Sequence, residues 1–246
     1  MMHFSEHPDT LSSASEWQAV TAVGKVVWDN LPLLVAMDML LAITALPAAL
    51  IAFLAGGLFA PIVAALTIGP VWAGCIATTD QMLHAEETSP GILLRNIRSH
   101  VRSGIGVSLA PAAIFTVILA TLRIYDAHPS QTWLLLPLYI DGCVAVAILL
   151  AQPAIFSIVT RTQLRGRGLW AASLGVVAAS PMIVVGLVAF AIVVWLLVRI
   201  SGPAVLLLMP APLAIYLSAA TWSVIKRGRP RAVRGMIRRS KYFGDH

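Results

Sequence analysis

Residues 31–78 read LPLLVAMDMLLAITALPAALIAFLAGGLFAPIVAALTIGPVWAGCIAT, and Asp38 is the one charged side chain in that stretch. A bilayer core of about 30 Å is crossed by roughly 20 apolar helical residues, so the stretch is long enough for two crossings. Glycine tolerates the backbone angles of a tight reversal, and Gly56-Gly57 therefore marks the expected turn between them. The stretch predicts a helical hairpin within a membrane.

The composition of the whole chain agrees with this prediction. Of its 246 residues, 59% are hydrophobic and 11% are charged, whereas soluble domains average about 45–50% apolar and about 25% charged residues. These values exclude a soluble enzyme, a disordered chain and a disulfide scaffold. We expect an all-α, polytopic membrane protein with six transmembrane helices, because an open sheet in lipid would leave backbone groups unpaired.

Hydropathy divides the chain into three parts. Residues 1–30 form a cytoplasmic segment, in which the capping-box spacing of Ser13 and Glu16 predicts an interfacial amphipathic helix. The transmembrane domain covers residues 31–225, and a basic cytoplasmic tail covers residues 226–246. The six predicted spans are about 31–54, 58–78, 104–122, 133–159, 169–198 and 203–225.

Basic residues are distributed unequally between the two ends of these spans. Of the 17 Lys and Arg residues, 15 fall on one side and two, Arg123 and Arg199, fall on the other. Loops that stay in the cytoplasm carry the excess of positive charge. We therefore expect both termini in the cytoplasm. The absence of Lys and Arg before Lys25 also argues against a cleavable signal peptide.

Proline and small residues recur within the predicted spans. Each span contains at least one proline, which removes a backbone hydrogen bond and tends to kink a helix. The kinks either give the bundle its shape or act as hinges around a central pathway. Small residues at every fourth position predict two packing faces: Gly104, Ser108 and Ala112 in one span, and Ala171, Gly175 and Ala179 in another.

Two carboxylates, Asp38 and Asp141, fall within the predicted spans, about 10 and about 12 Å from the nearer boundary. A charged Asp at a helix centre costs about 2.5–3.5 kcal/mol, and no Lys or Arg lies within a span to pair with either residue. One hypothesis is a proton or cation relay with Gln152 lining the same path. The other is a protonated or hydrated carboxyl that bonds helix carbonyls or a neighbouring hydroxyl.

The segment 79–103 has amphipathic character. Ser89-Pro90 predicts a helix start, after which Leu93 and Ile97 recur at helical spacing. The basic residues Arg95, Arg98 and Arg102 lie on another face. This pattern is typical of a helix on the membrane surface with its basic residues among lipid headgroups. It also suits a coupling helix that docks a cytoplasmic partner.

Motifs for catalysis or cofactor binding are absent from the sequence. It contains no phosphate-binding glycine loop, no zinc-protease helix and no Ser or Cys nucleophile motif. No module for nucleic-acid binding accompanies the basic tail. We therefore expect no enzyme, no catalytic residue, no cofactor, no metal ligand and no nucleic-acid partner.

Local patterns in this order resemble the YesL-like family of small bacterial membrane proteins, whose activity is unassigned. Val23-Gly24 precedes the first span, Asp38 precedes Leu46-Pro47, and the run Leu66–Pro70 is similar to the family's Thr-Ile-Gly-Pro stretch. The resemblance covers roughly residues 20–225. It implies a location in the bacterial inner (plasma) membrane and an association with carbohydrate uptake transporters.

Two functions are compatible with these features. The first is a non-enzymatic accessory to solute uptake, with carbohydrate as the solute implied by the resemblance, which contacts transporter subunits through the segment 79–103. The second is a small transporter or channel in its own right that uses Asp38 and Asp141. The lipid bilayer is a partner in both cases, and the solute and the oligomeric state are left open.

Overall fold

The structure, a computed structural model, describes residues 27–54, 57–83, 88–128, 133, 135–162, 164, 166–202 and 208–226. The predicted N-terminal amphipathic helix and the basic tail after residue 226 lie outside these residues. The described residues form seven α-helices of 13 to 38 residues and contain no strand, and residues 27–29 are also helical. The helices are α1 (Leu31–Leu54), α2 (Ala60–Leu83), α3 (Pro90–Ala127), α4 (Leu135–Arg161), α5 (Arg167–Ala179), α6 (Met182–Ser201) and α7 (Pro210–Lys226).

Within the described ranges, five segments are long and apolar enough to cross a membrane. They are Leu31–Leu54, Ala60–Leu83, Pro90–Ala127, Leu135–Gln152 and Ile183–Ser201. This confirms the prediction of an all-helical chain with several apolar helices of membrane-spanning length. The first predicted span has the same bounds as α1, and the turn after it contains Gly57, whose φ of 87° is favourable for glycine.

The predicted fifth span, about 169–198, is two helices in the structure. α5 ends at Ala179 and α6 begins at Met182, with Ser180 and Pro181 between them. Proline disfavours the helical conformation of the residue before it, and Ser180 has φ −143° and ψ 85°. Pro181 therefore breaks the helix instead of kinking it.

Several other prolines begin helices. Proline is well tolerated in a first helical turn, where its missing N–H would have no helical partner in any case. The prolines in first turns are Pro32, Pro61, Pro90, Pro137, Pro210 and Pro212. The prolines within helix interiors include Pro47, Pro70 and Pro111. Proline in this chain thus sets helix boundaries as often as it interrupts helices.

The segment 79–103, expected as a loop with a surface helix, is largely a continuation of α2 and α3. α2 extends to Leu83, and α3 runs without a break for 38 residues, which is about 57 Å. The predicted helix start is confirmed, because the Ser89 hydroxyl accepts a hydrogen bond from the N–H of Ile92 at 3.3 Å. α3 does not divide at the expected membrane boundary because no proline lies between Pro90 and Pro111.

α2 lies at the centre of the bundle and packs against α1, α3, α4 and α7. Its closest neighbour is α3, because Gly69 and Gly104 let the two backbones approach. A Cβ atom on Gly104 would lie 2.6 Å from the carbonyl oxygen of Gly69. The predicted packing face of Gly104, Ser108 and Ala112 is therefore confirmed.

The second predicted packing face, on α5, is wrong. Ala171 is exposed, and a Cβ atom on Gly175 would meet nothing within 4 Å. The buried face of α5 is instead the neighbouring row that contains Ala172 and Val176. Small residues at every fourth position allow close packing, but the position of the partner helix decides which row is used.

Candidate functional site

α7 begins within an apolar stretch, and its first turn is poor in N–H groups. The first backbone N–H groups of an α-helix have no partner within the helix, and lipid offers none. Pro210 and Pro212 carry no N–H, and the N–H of Leu213 donates to the carbonyl of Met209 at 3.2 Å. In this turn, Ala211 is therefore the residue whose N–H needs an acceptor from another part of the chain.

Asp38 on α1 supplies that acceptor. Its Oδ1 accepts a hydrogen bond from the N–H of Ala211 at 2.7 Å, and the side chain is 4% exposed. Met37 and Leu41 pack on α2 and α7, and this packing directs the same side of α1 towards the start of α7. The N-terminus of a helix carries a partial positive charge. Among the residues that the structure describes, a helix terminus, and not Lys or Arg, is thus the electrostatic partner of Asp38.

A cavity of about 450 Å³ lies beside this terminus, between α1, α2, α6 and α7. Small-molecule sites commonly measure roughly 300–1,000 Å³. Ala45 on α1, Trp72 on α2, Phe190 on α6 and Leu213 on α7 contribute to its walls. Asp38 is the one ionisable group among its described lining residues. The cavity is therefore an open apolar pocket with a single carboxylate among its described lining residues.

Asp141 and Gln152 lie on α4 and are not among the residues that line this cavity. Asp141 is half-buried, and it has no hydrogen bond or ion pair with the described residues. The Nε2 of Gln152 is buried and has no hydrogen-bond partner within the described ranges. Of the three predicted polar positions, the structure brings Asp38 to the cavity and leaves the other two outside it.

The three basic residues of the segment 79–103, Arg95, Arg98 and Arg102, are exposed on one side of α3. Leu93 and Asn96 on the other side are buried. The guanidinium groups therefore face away from α2. This arrangement is compatible with either a lipid headgroup or a partner protein as their neighbour.

Buried hydrogen bonds between helices form a second polar region. Nδ2 of Asn96 donates to Oγ1 of Thr78 at 3.0 Å and to Oε1 of Gln81 at 2.8 Å, which joins α3 to α2. The hydroxyls of Thr79 and Ser218 lie 3.3 Å apart and join α2 to α7. Sequence reasoning missed Thr79, Gln81 and Asn96 because it ended the second span at residue 78 and placed them in a loop.

Asp80, which is 2% exposed, is a further buried carboxylate that sequence reasoning placed in a loop. The sequence contains a pattern that indicates a longer helix at this point. One helical row continues past the predicted boundary at residue 78, and its members are all buried: Val71, Cys75, Thr78 and Met82. Following that row would have extended α2 by one turn and placed Asp80 inside the bundle.

The described residues contain no group of three or more His, Cys, Asp or Glu that could hold a metal ion. Cys75 and Cys143 are both free. The chemistry available at the cavity is therefore recognition by shape, by apolar contact and by one carboxylate.

Comparison with known protein families, with curated proteins and with solved structures finds no match to the chain. The resemblance to the YesL-like family stays a prediction.

Proposed function

We propose that the protein is a non-enzymatic membrane protein that binds a small apolar or amphipathic solute inside the bilayer, as a small transporter does. The observation that carries the proposal is the cavity of about 450 Å³ between α1, α2, α6 and α7. Apolar walls with few polar groups are the usual composition of small-molecule sites. Of the two functions that the sequence suggested, this corresponds to the second, with Asp38 at the site and Asp141 outside it.

We place the protein in a bacterial inner membrane with six crossings and both termini in the cytoplasm. The 15-to-2 distribution of basic residues supports this orientation. α5 and α6 together make one crossing in this arrangement, and α7 completes the sixth. Arg199 near the outer end of α6 stacks on Trp195, with its guanidinium carbon 5.3 Å from the ring centroid. Such a pair is well suited to an interface between lipid and water.

The wall formed by α6 is the part of the cavity most suited to movement. Ile183 is the one residue of α6 that is buried among those described, whereas Val188 and Val193 are more than half exposed. The start of α6 contacts α7, where the Tyr216 hydroxyl of α7 donates to the carbonyl of Ile183 in α6 at 3.3 Å. Segments with few buried contacts are those that open at low free-energy cost. Movement of α6 away from α7 would admit a solute from the bilayer.

The binding of a neutral fluorophore tests the proposal. Purified protein in lipid nanodiscs is titrated with N-phenyl-1-naphthylamine, and empty nanodiscs give the unspecific signal. We expect a saturable increase in fluorescence that Ala45→Phe weakens by about tenfold, because a phenyl ring at position 45 fills the cavity.

Ala49→Phe is the matched control. Ala49 lies one turn further along α1, is exposed, and is not among the cavity-lining residues. We expect it to bind the fluorophore as the unsubstituted protein does. A titration that never saturates, or equal affinities for Ala45→Phe and the unsubstituted protein, would refute the proposal.

A second candidate function is the accessory role in solute uptake, carbohydrate uptake included. The specific observation in its favour is the exposed row of Arg95, Arg98 and Arg102 on α3. The test is purification from native membranes, with and without glutamate at all three positions. Recovery of transporter subunits with the unsubstituted protein and their loss from the variant would support this role. Recovery of no subunit in either case would count against it.

A further inference from the structure

The charge at the cavity wall is only partly balanced by its surroundings. A helix N-terminus is equivalent to roughly half a positive elementary charge, whereas an ionised carboxylate carries a full negative one. Asp38 accepts one backbone hydrogen bond, from Ala211. No Lys, Arg or His is among the described residues that line the cavity. A site with an ionised Asp38 therefore keeps a net negative charge.

Removal of that charge from water is costly unless a positive group lies close to it. Two opposite unit charges about 4 Å apart attract more strongly at the low effective dielectric constant of a protein than they do in water. A cation inside the cavity would gain this attraction, and an anion would suffer the corresponding repulsion. The negative charge of an ionised Asp38 therefore favours a ligand that carries a positive charge.

Two aromatic side chains in the walls favour the same class of ligand. Trp72 on α2 and Phe190 on α6 both line the cavity. Aromatic faces attract organic cations, and the attraction is largest when the cation is desolvated. The other lining residues, which include Leu41, Ile68 and Val194, offer apolar contact to the body of such a molecule.

We propose that the cavity binds lipophilic organic cations, with the positive centre directed at Asp38 and the apolar groups held between Trp72 and Phe190. This proposal rests on the proposed function, since it names the class of solute for the same cavity. A hydrated inorganic cation is a poorer fit, because the walls have few oxygen atoms to replace its water. A lipid chain would occupy the cavity without regard to the charge of Asp38.

Two ions of similar shape and opposite charge distinguish these ligands. Tetraphenylphosphonium and tetraphenylborate are each used to displace N-phenyl-1-naphthylamine from the protein in nanodiscs, with empty nanodiscs as a correction for partitioning. We expect the phosphonium to displace the fluorophore at a concentration at least about tenfold lower than the borate. In Asp38→Asn this preference should fall to near unity.

Asp38→Asn is a suitable variant because its amide oxygen can still accept the hydrogen bond from Ala211. The melting temperature of this variant reports whether it folds, and the comparison of the two ions on the unsubstituted protein does not depend on the variant.

If the fluorophore binds saturably but both ions displace it equally, the charge selectivity is refuted and the proposed function stands. If the phosphonium displaces it equally from the folded variant, Asp38 is not the recognition group. If the fluorophore shows no saturable binding, the proposed function itself fails.

Discussion

The contact between α2 and α3 and the contact between α1 and α7 hold helices together by different interactions. At the first, Gly69 and Gly104 bring two backbones together, and Asn96 joins the helices by two side-chain hydrogen bonds. At the second, α1 and α7 share apolar packing and one hydrogen bond from Ala211 to Asp38, and a cavity lies beside that bond. Small residues close the space between helices, whereas a helix that starts among apolar residues needs a polar group from a neighbour. Open space can remain around that group.

The largest expected effect is at the close contact. Gly104→Leu would place a side chain where a Cβ atom alone lies 2.6 Å from the carbonyl oxygen of Gly69. We expect it to lower the free energy of unfolding by about 3 kcal/mol or more, because backbone atoms cannot yield as flexible side chains do. Reversible unfolding in mixed micelles, followed by circular dichroism, measures this change.

Gly106→Leu on the same helix is the control for that substitution. A Cβ atom on Gly106 would meet nothing within 4 Å, and the residue is exposed. Leucine has a higher helix propensity than glycine, so this variant should be as stable as the unsubstituted protein or more so. Equal losses for both variants would mean that α2 and α3 do not approach at Gly104.

The second effect concerns the cap of α7. Asp38→Leu removes the acceptor of the Ala211 N–H in a place that water does not reach easily. We expect a loss of about 2 kcal/mol in the free energy of unfolding, since an unsatisfied buried donor costs about 1–3 kcal/mol. Asp38→Asn should lose much less. A leucine variant as stable as the unsubstituted protein would show that the carboxylate is not needed as a cap.

A smaller effect is expected at the polar bridge between α2 and α3. Asn96→Leu removes the hydrogen bonds to Thr78 and Gln81. The Thr78 hydroxyl keeps its bond to the carbonyl of Gly74 at 2.9 Å, so the loss should be about 1 kcal/mol, within the range for hydrogen bonds between membrane helices. The same unfolding assay measures it. A loss as large as that of Gly104→Leu would make the bridge, and not the glycines, the basis of the contact.

The smallest effect is expected at Asp141. It has no hydrogen bond with the described residues and lies beside the exposed Ile140. Asp141→Asn should therefore change the free energy of unfolding by no more than about 0.5 kcal/mol, and it should leave fluorophore binding unchanged. Weaker fluorophore binding in this variant would show that Asp141 contributes to the binding site and would support the relay hypothesis.

The features that could be predicted from the sequence are those with a local cause. An almost unbroken apolar run followed by Gly56-Gly57 predicted a span of about the same bounds as α1, and Ser89 followed by Pro90 predicted the start of α3. The division at Pro181 was not predicted, because proline within an apolar run can kink a membrane helix or end it. Contacts with neighbouring helices decide between these outcomes, and they have no local pattern.

The candidate site, too, could be predicted from the sequence only in part. The depth of Asp38 and its lack of a basic partner were evident from the sequence. Its actual partner was not, because that partner is a backbone N–H, a group that almost every residue carries. The proline on each side of Ala211 is the one trace of it in the sequence. The cavity could not be predicted, since it depends on the side chains of four helices.

The bond between Asp38 and Ala211 joins residues separated by 173 positions along the chain. A polypeptide inserted during synthesis exposes α1 to the bilayer long before residue 211 has left the ribosome. Throughout that interval the carboxylate has no helix terminus beside it, and its solvation must come from water or from the insertion machinery. Arrival of the last helix removes that need. The hydrogen bond between α1 and α7 therefore forms only after α7 has been inserted.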